Sequence, residues 1–201
     1  MTMQILDSHG FGKKTETAGT IIVLTFPPKK GLKTKLSQVK VTPGATAHTL
    51  TGMIPLGKTT LSAAAAAAQT DIILTADPGP SGNGIAANDY LVILKPDQTV
   101  HVGIVSTWTS GTKTVVLTAN VPTGGFSDNA EVWFLGVAGD HTDRQWACGA
   151  SATTTLQDSE GGLCSTSNAY EPMMLQENNA TNAGTIDLAT AMYAWCNAPA
   201  N

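Results

Sequence analysis

The sequence predicts an all-β protein: an antiparallel β-sandwich or barrel built around a four-strand meander, with an N-terminal arm. Three observations carry the prediction. The first is composition. The chain of 201 residues holds 29 Thr, 26 Ala and 20 Gly, with only 13% charged and 5% aromatic residues. A helical bundle needs far more Leu, Glu, Lys and Arg, whereas β-branched side chains suit a pleated surface. With 42% hydrophobic residues and a net charge of −4, the chain has the apolar content to fold. The second is the run of short apolar or alternating segments, and the third is the Gly, Pro, Asn and Asp that separate them. The length is that of one domain of about 100–200 residues. The expected boundaries are an arm over 1–17 and a single β domain over 18–201, with the meander at 89–136 and a looser part at 137–201.

Along the chain, residues 20–26 form an apolar run stopped by Pro27-Pro28. Residues 34–41 alternate and end at Pro43-Gly44, and 47–54 set His48, Leu50 and Gly52 against Thr49, Thr51 and Met53. A fourth strand, 71–76, ends in the Pro78-to-Gly84 loop, which no regular element could cross. Residues 61–69 contain six consecutive alanines. Alanine is the best helix former, yet two turns are marginal without packing, so this segment reads as a short helix or a close-packed connector. Strands at 89–95, 99–109, 113–119 and 131–135 follow. Pro96-Asp97-Gln98 and Ser110-Gly111-Thr112 turn the first two pairs, and Pro122-Thr123-Gly124-Gly125 lies in the third connection. Short connections demand antiparallel neighbours, hence the meander. Its core side is read as Tyr90, Val92 and Leu94 with Val100, Val102 and Ile104. Loop-like sequence from Gly139 to Arg144 precedes weaker strands at 151–156, 170–176 and 185–193.

Chemistry-bearing patterns are few. Cys148, Cys164 and Cys196 are an odd number with no C-x-x-C pair, which argues against a disulfide framework or a zinc site and for free thiols in a reducing compartment. The opening residues lack the order of a secretory leader, and no apolar run approaches the ~20 residues that span a bilayer. The expectation is synthesis in a cytoplasm, with no membrane partner. Gly52-Met53-Ile54-Pro55-Leu56-Gly57-Lys58-Thr59 matches the phosphate-loop pattern G-x-x-x-x-G-K-[ST]. It lacks the preceding buried parallel strand, a metal-holding carboxylate after Leu91-Val92-Ile93-Leu94, and an α/β context, so no nucleotide or other cofactor is expected. Asp140, His141 and Asp143 read as a polar turn rather than metal ligands. Ser81 lacks the G-x-S-x-G elbow, and His101 reads as a cross-strand packing residue. No catalytic residue is assigned, and the chain is not expected to be an enzyme. Trp133 is read as core, while Trp146 and Trp195, in less regular segments, are divided between core and subunit contacts.

Charge is unevenly spread. Residues 1–60 carry eight lysines against Asp7 and Glu16, a net +6, and residues 61–201 carry a net −10. Lys29, Lys30, Lys33 and Lys35 are either a solvated hairpin that keeps an edge strand soluble or a docking surface for an acidic partner. The absence of arginine and of interleaved aromatics in this stretch argues against nucleic acid. In the docking reading the lysines speed encounter, and the lasting hold comes from apolar contacts at Ile5, Leu6, Phe11 or Leu32.

Two stretches carry a family resemblance. Ala87-Asn88-Asp89-Tyr90-Leu91-Val92-Ile93-Leu94, with Val100-His101-Val102-Gly103-Ile104-Val105 and Thr114-Val115-Val116-Leu117-Thr118, resembles a β module of tailed-bacteriophage structural proteins. In that module D-Y-hydrophobic is followed by D-G-T and V-T-L-T; here Gln98 stands where the module often has glycine. Met173-Met174-Leu175-Gln176 and the segment from Asn178 to Thr185 are similar to C-terminal segments of phage virion proteins. The resemblance implies a copy-rich, non-catalytic virion protein that decorates or cements a capsid. A head–tail or tail component, or a receptor- or carbohydrate-binding module of a fibre, is the alternative. It further implies a place on the capsid surface, a major capsid protein or other virion proteins as partners, and a homo-oligomer, with a trimer favoured by the three-fold positions of capsid lattices.

Overall fold

The computed structural model describes residues 5–9, 13–15, 22–79, 84–157, 164–178 and 184–197. Phe11, Ser81 and the first two residues of the strand expected at 20–26 lie outside them. The chain divides into two compact units, Met1–Ile54 with His141–Asn201, and Pro55–Asp140. The first unit begins with β1 (Ile5–His9), β2 (Lys13–Thr15), β3 (Ile22–Phe26), β4 (Leu32–Pro43) and β5 (His48–Met53). The second holds β6 (Gly57–Thr60), β7 (Asp71–Ile73), β8 (Tyr90–Leu94), β9 (Val100–Thr109), β10 (Thr114–Leu117) and β11 (Glu131–Gly136). A kinked 3₁₀ turn, Ala138–Arg144, follows. The chain then supplies β12 (Gln145–Cys148), β13 (Thr154–Gln157), β14 (Cys164–Ser165), β15 (Met173–Asn178) and β16 (Gly184–Asn197) to the first unit. The architecture is all-β and antiparallel, as composition and alternation predict.

In the Pro55–Asp140 unit the strand order is β6-β11-β8-β9-β10-β7. Strands β8, β9 and β10 form a meander, but the fourth strand does not continue it. The long connection after Leu117 lets β11 cross back to pair with β8, Val132 facing Ile93 and Trp133 facing Val92. The spatial order 4-1-2-3 is that of a Greek key. The vacated edge of β10 is taken by β7, with Val115 opposite Ile72. A bridge between Leu61 and Leu74, with Ser62 N–H donating to Ile73 O (2.9 Å) and Thr75 N–H to Thr60 O (2.9 Å), joins the two end strands. The sheet therefore curls back on itself and hides its edges.

The curl turns Leu91, Ile93, Val105, Val115, Leu117, Val132 and Phe134 into one buried cluster. This corrects the expected core side. Strand β8 is apolar at both parities, so alternation cannot choose its inner face. Tyr90 and Val92 are buried as well, on the opposite face. On β9 the inward position is Gly103, because a Cβ there would come within 2.9 Å of the Leu117 side chain. The alanine segment is a connector rather than a helix. Ala65 bridges Phe126, Ala68 takes φ +69, and Gln69 Oε1 accepts from Ala66 N–H (3.1 Å).

The β8–β9 turn puts a non-glycine residue where glycine would be at ease. Gln98 sits at φ +65, a left-handed conformation that costs a non-glycine residue about 1–2 kcal/mol. The turn holds because Asp97 Oδ1 accepts from Thr99 Oγ1 (2.6 Å) and Thr99 N–H (3.0 Å). These hydrogen bonds, the Thr99 hydroxyl foremost, with help from Lys95, lower the Asp97 carboxyl to about 2. Gln98→Gly should raise stability by about 1 kcal/mol, less the entropy that glycine adds to the unfolded chain. A urea midpoint shifted upwards at unchanged slope is the expected reading.

The other unit is two packed sheets. One runs β1-β16-β4-β13, with β14 also on β4 and β2 also on β16; the other runs β12-β5-β15-β3. Leu36, Val39 and Val41 of β4 meet Phe26, Leu50, Cys148, Met173 and Leu175 of the second sheet in a single cluster, the packing of a sandwich. Residues 5–9 and 13–15 are strands on β16, with Ile5 opposite Cys196 and Thr15 opposite Thr185.

Candidate interaction surfaces

The expected docking residues that the structure describes fall on the turn between β3 and β4, the start of β4 and the edge strand β1. Strand β3 ends at Pro27-Pro28, and the chain reverses through Lys29, Lys30 and Gly31, Leu32 N–H donating to Lys29 O (3.0 Å). Gly31, at φ +77, occupies the turn position that demands a left-handed backbone. Lys29 and Lys30 are exposed. Lys33 is half-buried and donates from Nζ to Ser167 O, and Lys35 is 7% exposed. The four lysines thus separate into an exposed tip and two strand residues. The cause is local. Thr166 Oγ1 accepts from Thr34 N–H (3.1 Å), Thr166 N–H returns to Thr34 O (3.0 Å), and Tyr170 N–H reaches Leu32 O (2.8 Å), so segment 166–170 is fastened to the start of β4. Leu32 packs half-buried against the sandwich core. Ile5 and Leu6 lie on β1, and Phe11 is outside the described residues.

The fold also redistributes the charge. The sandwich unit holds eight basic and eight acidic residues and is neutral, because the basic first third shares it with the acids beyond residue 141. The Pro55–Asp140 unit has three lysines against seven acids, a net −4.

That acidic unit contains a cavity of about 440 Å³ lined by Leu56, Ala86, Phe134 and Val137 with Asp89 and Asp140. Asp89, the aspartate of the Asp89-Tyr90 pair, is 5% exposed and accepts from Ala86 N–H at 2.6 Å. Burial pushes its carboxyl above the ordinary range; the Ala86 hydrogen bond opposes this and the Asp140 charge adds to it. Asp140 Oδ2 accepts from Val137 N–H (2.9 Å) and lies where a side chain on Gly136, at φ +67, would be. Sequence reading missed this pairing because its members stand 51 positions apart.

The phosphate-loop look-alike takes another form. Gly57–Thr60 is strand β6, paired with β11 so that Lys58 faces Trp133. Lys58 Nζ binds Glu131 Oε1 at 2.5 Å and lies 5.2 Å from the Trp133 ring centre. A strand cannot turn successive N–H groups toward one phosphate. His141 is buried while Asp140 and Asp143 are exposed, and Asp143 pairs with Arg144 at 2.6 Å. His101 packs 5.6 Å from the Phe126 ring, and Trp133 is fully buried.

One constellation was invisible in the sequence. Cys148 faces His48 across β12 and β5, and His48 Nδ1 bonds Glu177 Oε1 of β15. A Cys–His–Glu set suggests a nucleophile, but its electrostatics oppose that role. Burial, with the Glu177 charge second, pushes the Cys148 thiol up to about 11, and all three residues are at most 3% exposed. Iodoacetamide at pH 7.5 should leave Cys148 unmodified in the native protein and label it on unfolding. Peptide mapping that finds native Cys148 alkylated would contradict this.

No family model and no curated protein matches the chain. Among solved structures, VP17, a capsid protein of bacteriophage P23-77, aligns over 94% of this chain and 98% of its own at 12% identity, with a TM-score of 0.26. The VP16–VP17 complex of the two major capsid proteins of the same phage aligns over 88% and 98% at 12% identity, with a TM-score of 0.27.

Proposed function

We propose that the chain is a structural protein of a tailed-bacteriophage virion that decorates or cements the capsid through non-catalytic contacts with the major capsid protein and with its own copies. The supporting observation is residue-level. The stretch that resembles the phage module folds as the β8–β9–β10 meander, and the position where that module carries glycine takes φ +65 here. A low-charge, Thr-rich all-β chain with a basic tip on its neutral unit and an acidic cavity within the other suits assembly by many weak, oriented contacts. In this reading the Lys29–Lys30 tip leads the encounter with an acidic neighbour, and buried apolar contacts hold it.

Quantitative mass spectrometry of purified particles tests the proposal. The protein should appear at a copy number set by the shell lattice, and cryo-EM should place it on the capsid exterior. Its absence from gradient-purified particles would remove the reading; density on the tail or a fibre would move it to another virion site. Loading of purified protein onto stripped shells should slow between about 0.1 and 1 M salt, as the Debye length falls from ~10 to ~3 Å.

A further inference from the structure

We propose that the cavity beside Asp89 and Asp140 is a socket for a lysine side chain, and that its occupant is Lys30 of a second copy of this chain. The inference deepens the reading of the protein as a self-assembling building block and rests on it. The cavity's size, about 440 Å³, lies within the ~300–1,000 Å³ of ordinary ligand sites. Leu56, Ala86, Phe134 and Val137 offer an apolar wall for the methylene stem of a lysine, and two carboxylates meet the ammonium.

Asp89 is the decisive group. It is more than nine-tenths buried, and among the described residues its carboxylate has one hydrogen bond, that from Ala86 N–H to Oδ2. The residue lines the cavity together with Asp140, whose charge repels it. An entering cation relieves that repulsion and adds a charge-assisted hydrogen bond. A divalent metal is the poorer occupant, since no group of three or more acidic, His or Cys side chains suited to a metal occurs among the described residues.

The peg is built as deliberately. Lys30 stands at the apex of the β3–β4 turn, exposed, beside a glycine that crowds nothing within 4 Å, and on a stem stiffened by Pro27-Pro28. Socket and peg belong to different units of one chain, one with a net charge of −4 and one neutral. A peg-to-socket contact is therefore heterologous and closes into a ring when its rotation permits. A three-membered ring is the trimer that a three-fold lattice position accepts.

Sedimentation equilibrium of the full chain tests the contact. Wild type should self-associate. Asp89→Asn/Asp140→Asn, which keeps both hydrogen-bond acceptors, and Lys30→Gln should each raise the dissociation constant at least about tenfold, with urea midpoints no lower than wild type. The decisive arm mixes the two variants. One retains a peg and the other a socket, so an equimolar mixture should regain a two-chain complex and nothing larger. A wild type that stays monomeric at millimolar concentration, a variant that associates like wild type, or a mixture that stays apart would each overturn the proposal. Association that requires added calcium would assign the cavity to a metal and overturn it too. None of these outcomes alters the detection of the protein in purified particles, so the two readings fail separately.

Discussion

His48→Ala should lower the unfolding free energy of the sandwich unit by about 3–5 kcal/mol, the largest effect expected of any single substitution considered. The His48 and Glu177 side chains are 1% and 2% exposed, and each already carries a strained account: His48 Nε2 and Glu177 Oε2 are buried without a hydrogen-bond partner among the described residues. Removing the imidazole leaves a carboxylate in an apolar core with its Nδ1 contact gone, and burying an unpaired charge is the costly case. Glu177→Gln removes the charge and keeps the shape, so its cost should be nearer the ~1–3 kcal/mol of one imperfectly satisfied polar group. The two effects should not add. His48→Leu/Glu177→Leu replaces the pair by apolar side chains and should cost less than His48→Ala alone. Urea midpoints for the four proteins decide it; a His48→Ala loss under about 1 kcal/mol would show that the pair is solvated or replaceable.

Gly57→Ala should destabilise the barrel unit by about 1–3 kcal/mol or more, whereas Lys58→Ala should cost about 0–1 kcal/mol. In a phosphate loop both residues would matter through a nucleotide. Here Gly57 is dictated by close approach, since a Cβ would overlap the backbone carbonyl of Pro78, and backbone cannot swing aside as a side chain can. Lys58, 45% exposed, forms a surface pair with Glu131 that water and salt largely screen. Thermal unfolding of the two variants separates the readings, and calorimetry with ATP and magnesium should register no heat for wild type. A micromolar affinity abolished by Lys58→Ala would restore the nucleotide interpretation.

Local signals were legible and global ones were not. Strands β8, β9 and β10 stand out because each is a short apolar or alternating run bounded by its own turn, and a hairpin needs nothing beyond its neighbours. The place of β11 depends on where a long connection lands, which no window of residues encodes, so the expected four-strand meander became a Greek key. Strand β6 was hidden inside Gly57-Lys58-Thr59-Thr60, four residues that read as a motif because they are too few to show a period. The inner face of β8 was ambiguous because Tyr90-Leu91-Val92-Ile93-Leu94 is apolar throughout. Among site residues, Lys29, Lys30, Lys33 and Lys35 read as one cluster, and only the fold divides them into an exposed turn and two residues of β4. The burial of Lys35 was unreadable, because it depends on β14 and β16, more than 120 positions away. Asp89 with Asp140, and His48 with Cys148 and Glu177, are pairings made by folding alone.

The insertion of one unit into the other has a kinetic consequence. Pro55–Asp140 is continuous in sequence, and its β8–β9 and β9–β10 pairings are local, so its search is short. The sandwich unit pairs β5 with β15 and β1 with β16, contacts that close loops of over 100 residues and must wait until the chain has been made. The barrel shortens that search. Its first and last strands, β6 and β11, are hydrogen-bonded neighbours, Gly57 opposite Phe134, so their backbones lie only about 4.8 Å apart. Once it folds, the seventy-odd residues between Gly57 and Phe134 cease to be slack, and the loop that β5 and β15 must close behaves as though that stretch had been excised. Synthesis from the N-terminus then favours an order in which the insert matures on the ribosome while both halves of the host sheet remain open. Damage to the barrel should accordingly slow the folding of a unit it does not belong to.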